Sequence, residues 1–196
     1  MALRTIVKDG DPILKKVCRP VTQFDEKLAT LLDDMKETLA DAGGLGLAGP
    51  QVGVMRRLFI ALDERELPED GSMPAADELN FIECINPEIL ERSDDEVTLY
   101  EGCLSFPGHN GAISRPRKVK IRAQDRHGNF FEMEGEEMLA RCFCHESNHL
   151  DGITIMDLAD HFYEDDYPDE ENNADSVYGH PGHRSCQFES CAGSGA

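Results

Sequence analysis

No apolar run in this 196-residue chain is long enough to cross a bilayer as a helix. The stretch from Met1 to Leu14 carries Lys8, Asp9, Asp11 and Pro12, where a secretion signal needs an unbroken apolar core. It also lacks the arginine-rich, acid-poor character of a transit peptide. Internal repeats are absent. Basic residues are scarce: 19 Lys and Arg face 39 Asp and Glu, a formal net charge of −20. Such a surface repels phosphate backbones, which argues against direct nucleic-acid binding and leaves solubility as the plain reading of the acidity. Arg115-Pro116-Arg117-Lys118 is a local basic exception. The seven cysteines are odd in number and scattered, unlike a secreted disulfide framework. A soluble cytoplasmic protein with reduced thiols and no membrane partner is expected.

The length suits one domain, and 40% hydrophobic residues can build its core. Leu28, Leu31, Leu32, Met35 and Leu39 recur at helical spacing and predict a helix over Phe24–Ala42. Thr22 or Asp25 can cap its start, and Gly43-Gly44 ends it. The segment from Gly43 to Gly53 is too rich in glycine for helix or regular strand. A strand is predicted over Val54–Leu62, then an exposed acidic connection over Asp63–Asn80. Short strands follow at Phe81–Ile85, Glu96–Tyr100, Val119–Gln124 and Asn129–Met133, the last two joined near Arg126-His127-Gly128-Asn129. A second helix is predicted over Glu136–Leu150, with Met138, Leu139, Cys142 and Phe143 on its apolar face. The expected fold is α+β over residues 1–160, with antiparallel strands around that second helix and one helix near the N-terminus. Residues 161–196, dominated by acids and then by Gly and Ser, read as a poorly ordered tail.

His145-Glu146-Ser147-Asn148-His149 is a His-Glu-x-x-His pattern on the second helix. Residues four apart share a helical face, so both imidazoles can point at one metal ion. Glu146 lies roughly 100° around the helix from His145, within reach of water at that ion. The chemistry needs this arrangement because the metal lowers the water's pKa while the carboxylate accepts its proton. The third ligand decides the class. A metzincin would need a histidine at position 155, which is Ile. A thermolysin-like glutamate would have to be Glu170 or Glu171, which lie in a run too acidic and proline-broken for a packed helix. Cys103, in Glu101-Gly102-Cys103-Leu104-Ser105, is the remaining candidate upstream.

Gly44-Leu45-Gly46-Leu47-Ala48-Gly49-Pro50-Gln51, Glu101-Gly102-Cys103-Leu104-Ser105 and His145-Glu146-Ser147-Asn148-His149 resemble, in order, the three motifs of the peptide deformylase family. The likeness extends over about Ile6 to Asp160. It implies a metal-dependent hydrolase that removes the formyl group from the N-terminal methionine of nascent chains, releasing formate. By this resemblance Cys103, His145 and His149 bind the metal, typically Fe2+, with Zn2+, Ni2+ or Co2+ as substitutes. Glu146 is then the base, and Gln51 with the backbone N–H of Leu104 steadies the oxyanion. Gly44, Leu45 and Gly46 line the substrate as an added strand would, and Leu45 with Cys142 faces the methionine side chain. Glu101 and Arg115 look like an ion pair bracing the cysteine loop. Formylmethionyl peptides are the implied partners, with ribosome proximity implied by the resemblance alone.

Three positions depart from the family pattern. Gly49 stands where alanine is usual, Cys144 replaces a glutamine, and Asn148 replaces an aspartate. Loss of that carboxylate is expected to weaken orientation of the ligands. Arg141, beside Cys142, is an unexpected pocket residue that either turns outward or narrows the pocket. In the tail, His180, His183, Cys186 and Cys191 have metal-ligand identities, but their spacing matches no finger pattern. The rival readings are a zinc endopeptidase built on His145, Glu146 and His149, and a catalytically impaired relative that binds metal or formyl-peptide.

Overall fold

The computed structural model describes residues 2–68, 74–75 and 78–163. Helix α1 spans Glu26–Ala42. Of the two possible caps, Asp25 serves: its side chain accepts from the N–H groups of Lys27 and Leu28. The helix ends at Gly43, whose φ of 66° suits glycine at a left-handed C-terminal position. Strand β1 is Gly46–Ala48, followed by a 3-10 turn over Gly49–Val52 and strand β2 at Leu58–Leu62. The glycine-rich segment therefore does contain a short strand, contrary to the expectation from composition. Its backbone pairs with β2, Gly46 opposite Ala61, and that tertiary pairing overrides the poor strand preference of glycine.

Strands β3 (Phe81–Arg92), β4 (Glu96–Glu101), β5 (Gly111–Pro116), β6 (Lys118–Gln124) and β7 (Phe130–Glu136) follow. Among the described residues β1, β2, β3, β6 and β7 form one antiparallel sheet in that order, and β4 pairs with β5 in a separate antiparallel hairpin. Strand β3 runs past the predicted end at Ile85 because a register shift absorbs Asn86 and Pro87. Asn86 has a φ of 50°, and its side chain bonds to the Val21 N–H and carbonyl and to Gln124. Helix α2, Glu137–Leu150, follows β7 directly, and α3 is the short Ile155–Leu158.

The five-stranded sheet is covered on both faces. The alternation of β2 sends Leu58 and Ile60 toward Leu28, Leu31, Leu32, Met35 and Leu39 of α1. Phe59 and Ala61 face α2 instead, among Leu139, Ala140, Cys142 and Phe143. Phe59 and Phe143 lie with ring centroids 6.1 Å apart. Helix α2 also meets β5, so it runs between the large sheet and the β4–β5 hairpin. This placement brings the His-Glu-x-x-His helix against the loop that follows β4.

Three residues of the segment expected as tail continue the body: His161 accepts from the Ala112 N–H, Phe162 bridges Gly111, and Tyr163 donates to Asn110. The rest of the expected tail, 164–196, with His180, His183, Cys186 and Cys191, lies outside the described residues. Among the described residues no helix is long and apolar enough to cross a membrane.

Candidate metal centre

Helix α2 buries its histidines because they sit on the faces that pack inward. His145 is 4% exposed and His149 1%. Cys103 reaches them from the loop after β4, its Sγ 3.3 Å from Nε2 of His149. The ligand atoms of Cys103, His145 and His149 all lie within 4.8 Å of one another. One soft thiol and two imidazoles converging at this spacing fit a divalent transition metal with a position left open. Among the described residues these are the residues that cluster as metal ligands.

Glu101, fully buried at the end of β4, sits behind His145. Its Oε2 accepts from His145 Nδ1 at 3.0 Å, which orients the ring so that Nε2 is the nitrogen that would ligate an ion. Arg115 grips Glu101 with both Nε and Nη2, at 2.8 and 2.9 Å. Burial pushes the Glu101 carboxyl up, but hydrogen bonds from Arg115 and His145 outweigh it and hold it well below the ordinary carboxylate range. At His145, burial disfavours the charged ring, yet hydrogen bonds with Cys103 and Glu101 carry its pKa up to about 10. The surroundings thus favour positive charge between Cys103 and Glu101, as a metal cation supplies. Burial and the charge of His145 hold His149 well below its ordinary value, so its ring is neutral and ready to ligate.

Glu146 is 1% exposed, and its Oε2 meets no hydrogen-bond partner among the described residues. Burial, the largest cause, raises its pKa to about 7. Its neighbour across the gap is Gly46 of β1. A Cβ on Gly46 would collide with Glu146 Oε1, stand 2.7 Å from Glu146 Cδ and stand 2.8 Å from Cys142 Sγ. Glycine is therefore what allows this strand and the carboxylate to approach each other.

Gln51 is held in the 3-10 turn after β1. The Ala48 N–H donates to its Oε1 at 2.8 Å, which turns Nε2 toward Cys103 Sγ (3.5 Å) and Ser105 Oγ (3.2 Å). Gly44 lies against the side chains of Leu104 and Leu39, so Leu104 closes on the start of the glycine-rich segment. Cys142 Sγ donates to the Leu45 carbonyl at 3.4 Å, bringing those two residues together, and burial raises its thiol well above the ordinary value. Gly44, Leu45, Gly46, Gln51, Cys103, Leu104, Cys142, His145, Glu146 and His149 thus lie around one junction of β1, the β4 loop and α2.

The departures acquire physical reasons. A Cβ at position 49 would stand 2.7 Å from the Val54 carbonyl and 2.8 Å from that of Arg56, so the tight turn here excludes alanine. Asn148 accepts from Arg115 Nη1 at 2.6 Å, keeping a hydrogen bond while losing a charge. Cys144 lies away from the ligands, in a cavity of about 400 Å³ lined by Arg57, Arg92, Ser147 and Asn148 among others. Arg141 neither turns outward nor narrows a pocket. It is 1% exposed and donates to Glu101 Oε1 at 2.6 Å. Its partner is 40 residues away in sequence, so local patterning could not reveal it. The available signal was its position four residues before His145, on the same ridge. Lys8, whose Nζ donates to the Leu104 carbonyl at 2.7 Å, was likewise not singled out as a site residue.

Comparison with known proteins finds relatives over most of the chain. The sequence profile of the family described as polypeptide deformylase matches residues 3–164. A peptide deformylase of Agathobacter rectalis is 49% identical over 170 residues, covering 84% of this chain and 98% of that relative. One of Lachnoclostridium phytofermentans is 47% identical over 157 residues, covering 80% of this chain and 89% of the relative. The crystal structure of peptide deformylase from Thermotoga maritima superimposes with a TM-score of 0.72 at 37% identity, covering 81% of this chain and 99% of that one. By sequence and by fold, this chain belongs to the polypeptide deformylase family.

Proposed function

We propose that this chain hydrolyses the N-formyl group from the N-terminal methionine of nascent polypeptides, releasing formate and a free amine. The observation that carries this reading is the convergence of Cys103, His145 and His149 beside a buried carboxylate oxygen of Glu146 that has no hydrogen-bond partner among the described residues, in a chain of this family. Cys103, His145 and His149 would hold the ion, Fe2+ in this reading, with Zn2+, Ni2+ or Co2+ able to replace it. When bound, the ion lowers the pKa of water toward neutrality and so supplies hydroxide.

Glu146 takes the proton of the attacking water and returns it to the departing amine nitrogen. A carboxyl pushed up to about 7 is suited to both halves of that task near neutral pH. Gln51 Nε2 and the Leu104 N–H donate to the oxyanion that forms on the formyl oxygen. Ala48 fixes the Gln51 amide in advance, which avoids reorganisation during the reaction. The substrate backbone adds to β1 along Gly44, Leu45 and Gly46. This strand ends the sheet order, so its outer edge can receive an extended chain. Leu45 and Cys142 receive the methionine side chain.

The reaction belongs to chains emerging from the ribosome, in the cytoplasm. The free thiols of Cys18, Cys84, Cys103, Cys142 and Cys144 suit a reducing compartment. The net charge of −20 gives no support for direct contact with RNA. The test is product analysis after anaerobic iron loading, using formyl-Met-Ala-Ser together with a longer unformylated peptide. Formate and Met-Ala-Ser are expected, with the second peptide intact. Internal cleavage that survives Cys103→Ala would favour an endopeptidase. Metal-replete folded protein that releases no formate would favour a binding role.

A further inference from the structure

We propose that Arg141 is a positioning residue of the metal centre: it locks the Glu101 carboxylate and ties the helix bearing two ligands to the hairpin that leads to the third. This inference rests on the reading of Cys103, His145 and His149 as ligands.

Arg141 is the largest fully buried side chain among the described residues, and a buried guanidinium is costly unless every donor is matched to an acceptor. Its acceptors are specific. Nη1 donates to Glu101 Oε1 at 2.6 Å and to the Ile113 carbonyl at 2.9 Å, and Nη2 donates to the Val97 carbonyl at 2.6 Å. Arg141, His145 and His149 follow one another at four-residue intervals and form one ridge of α2. Glu101 stands opposite the first two and accepts from both.

The carboxylate is saturated by this arrangement. Oε1 accepts from Arg115 Nε and Arg141 Nη1, while Oε2 accepts from Arg115 Nη2 and His145 Nδ1. A carboxylate offers about four lone-pair sites, and four donors fill them. With Oε1 taken by two guanidinium groups, Oε2 is the oxygen held toward His145. That bond orients the ring and commits its Nδ1 as donor, so that Nε2 is the nitrogen that would ligate the ion.

Arg141 also fixes a distance between elements. Val97 lies on β4 and Ile113 on β5, and β4 ends at Glu101, just before Cys103. Arg115 comes from the hairpin itself and meets α2 at the neutral amide oxygen of Asn148. Arg141–Glu101 is a buried guanidinium–carboxylate pair that crosses from helix to hairpin, whereas Arg117–Glu137, at the first residue of α2, is exposed to solvent. A fixed crossing sets the separation between Cys103 and the two histidines. A simple packing role for Arg141 would require none of this directional bonding.

The experiment titrates metal-free parent, Arg141→Met and Arg141→Lys with Co2+ and Zn2+ against a chromophoric chelator, and records Co2+ absorption spectra. Arg141→Met is expected to lose on the order of tenfold or more in affinity and to shift the Co2+ bands. Arg141→Lys should fall between, because one ammonium can reach Glu101 but cannot also span both hairpin carbonyls. Phe143→Leu, on the sheet-facing side of α2, serves as a packing control expected to lower Tm while keeping affinity and spectrum. Cys103→Ala should abolish the thiolate charge-transfer band. Parent affinity and spectrum in folded Arg141→Met would overturn the proposal, as would an equal loss in Phe143→Leu. Should the Met variant not fold, parent affinity and spectrum in Arg141→Lys would overturn it instead. A thiolate band that persists in Cys103→Ala would show the ligand reading itself to be wrong, and the role of Arg141 would fall with it.

Discussion

Gly46→Ala adds a single methyl group, and the structure says where it goes. That carbon would stand 2.7 Å from Glu146 Cδ and 2.8 Å from Cys142 Sγ, against an ordinary separation of about 3.5–4.0 Å between nonbonded carbons. Something must therefore move by about 1 Å. Cys142 is buried among Leu139, Phe143 and Cys84, and β1 is anchored to β2 by pairing with Ala61, so neither retreats easily. The Glu146 side chain, with one oxygen that meets no partner among the described residues, is the part able to swing. Overpacking of this kind costs about 1–3 kcal/mol of stability. A base displaced by about 1 Å from its working position costs on the order of a hundredfold in rate. The measurements are formate release under kcat/KM conditions, metal content and thermal unfolding of the same preparation. The expected result is a lower Tm, parent metal stoichiometry and kcat/KM reduced on the order of a hundredfold. A Gly46→Ala protein with parent kcat/KM would refute the reasoning, because Glu146 would not then be confined by this strand.

Two further outcomes follow from the same contacts. Glu146 carries a folded-state pKa of about 7 against 4.5 when unperturbed. The stability linked to its neutral form is fully present below pH 4.5 and lost as pH rises through 7. Metal-free Glu146→Gln should therefore gain on the parent across that window, by up to about 3 kcal/mol above neutrality, as read by denaturant unfolding at acidic and alkaline pH. Equal stability differences at both pH values would contradict it. Lys8→Met removes the bond from Nζ to the Leu104 carbonyl, while Val7 N–H still donates to Gln51 and Asp9 N–H to Ser105. It should lower kcat about threefold and leave metal affinity unchanged; an unaltered kcat would place Lys8 outside the bracing of that loop.

Much of the fold was legible because its signals are local. The α1 period with Asp25 and Gly43, the β2 apolar run and the α2 pattern each depend on neighbours in sequence. What was missed depends on partners far away. Strand β5, with Gly111, Ser114, Arg115 and Pro116, has weak strand character and forms because β4 lies alongside it. The strand predicted to end at Ile85 runs on to Arg92, because the Asn86 side chain satisfies the Val21 backbone and lets β3 continue. The segment holding Gly46 was not expected to form a strand, since nothing in sequence announces the Glu146 carboxylate in the place of the missing Cβ. The candidate ligands were legible as motifs, whereas the second arginine on Glu101 was not, since its acceptors lie on a separate hairpin.

The central claim is that Glu146 moves the proton while Cys103, His145 and His149 hold the metal. The most direct test is formate release from formyl-Met-Ala-Ser by anaerobically iron-loaded parent and Glu146→Ala protein, with bound iron counted in both. The expected result is equal iron in the two proteins, rapid formate release by the parent and a loss of at least about a hundredfold in the variant. Formate release at the parent rate from iron-replete Glu146→Ala would contradict the claim.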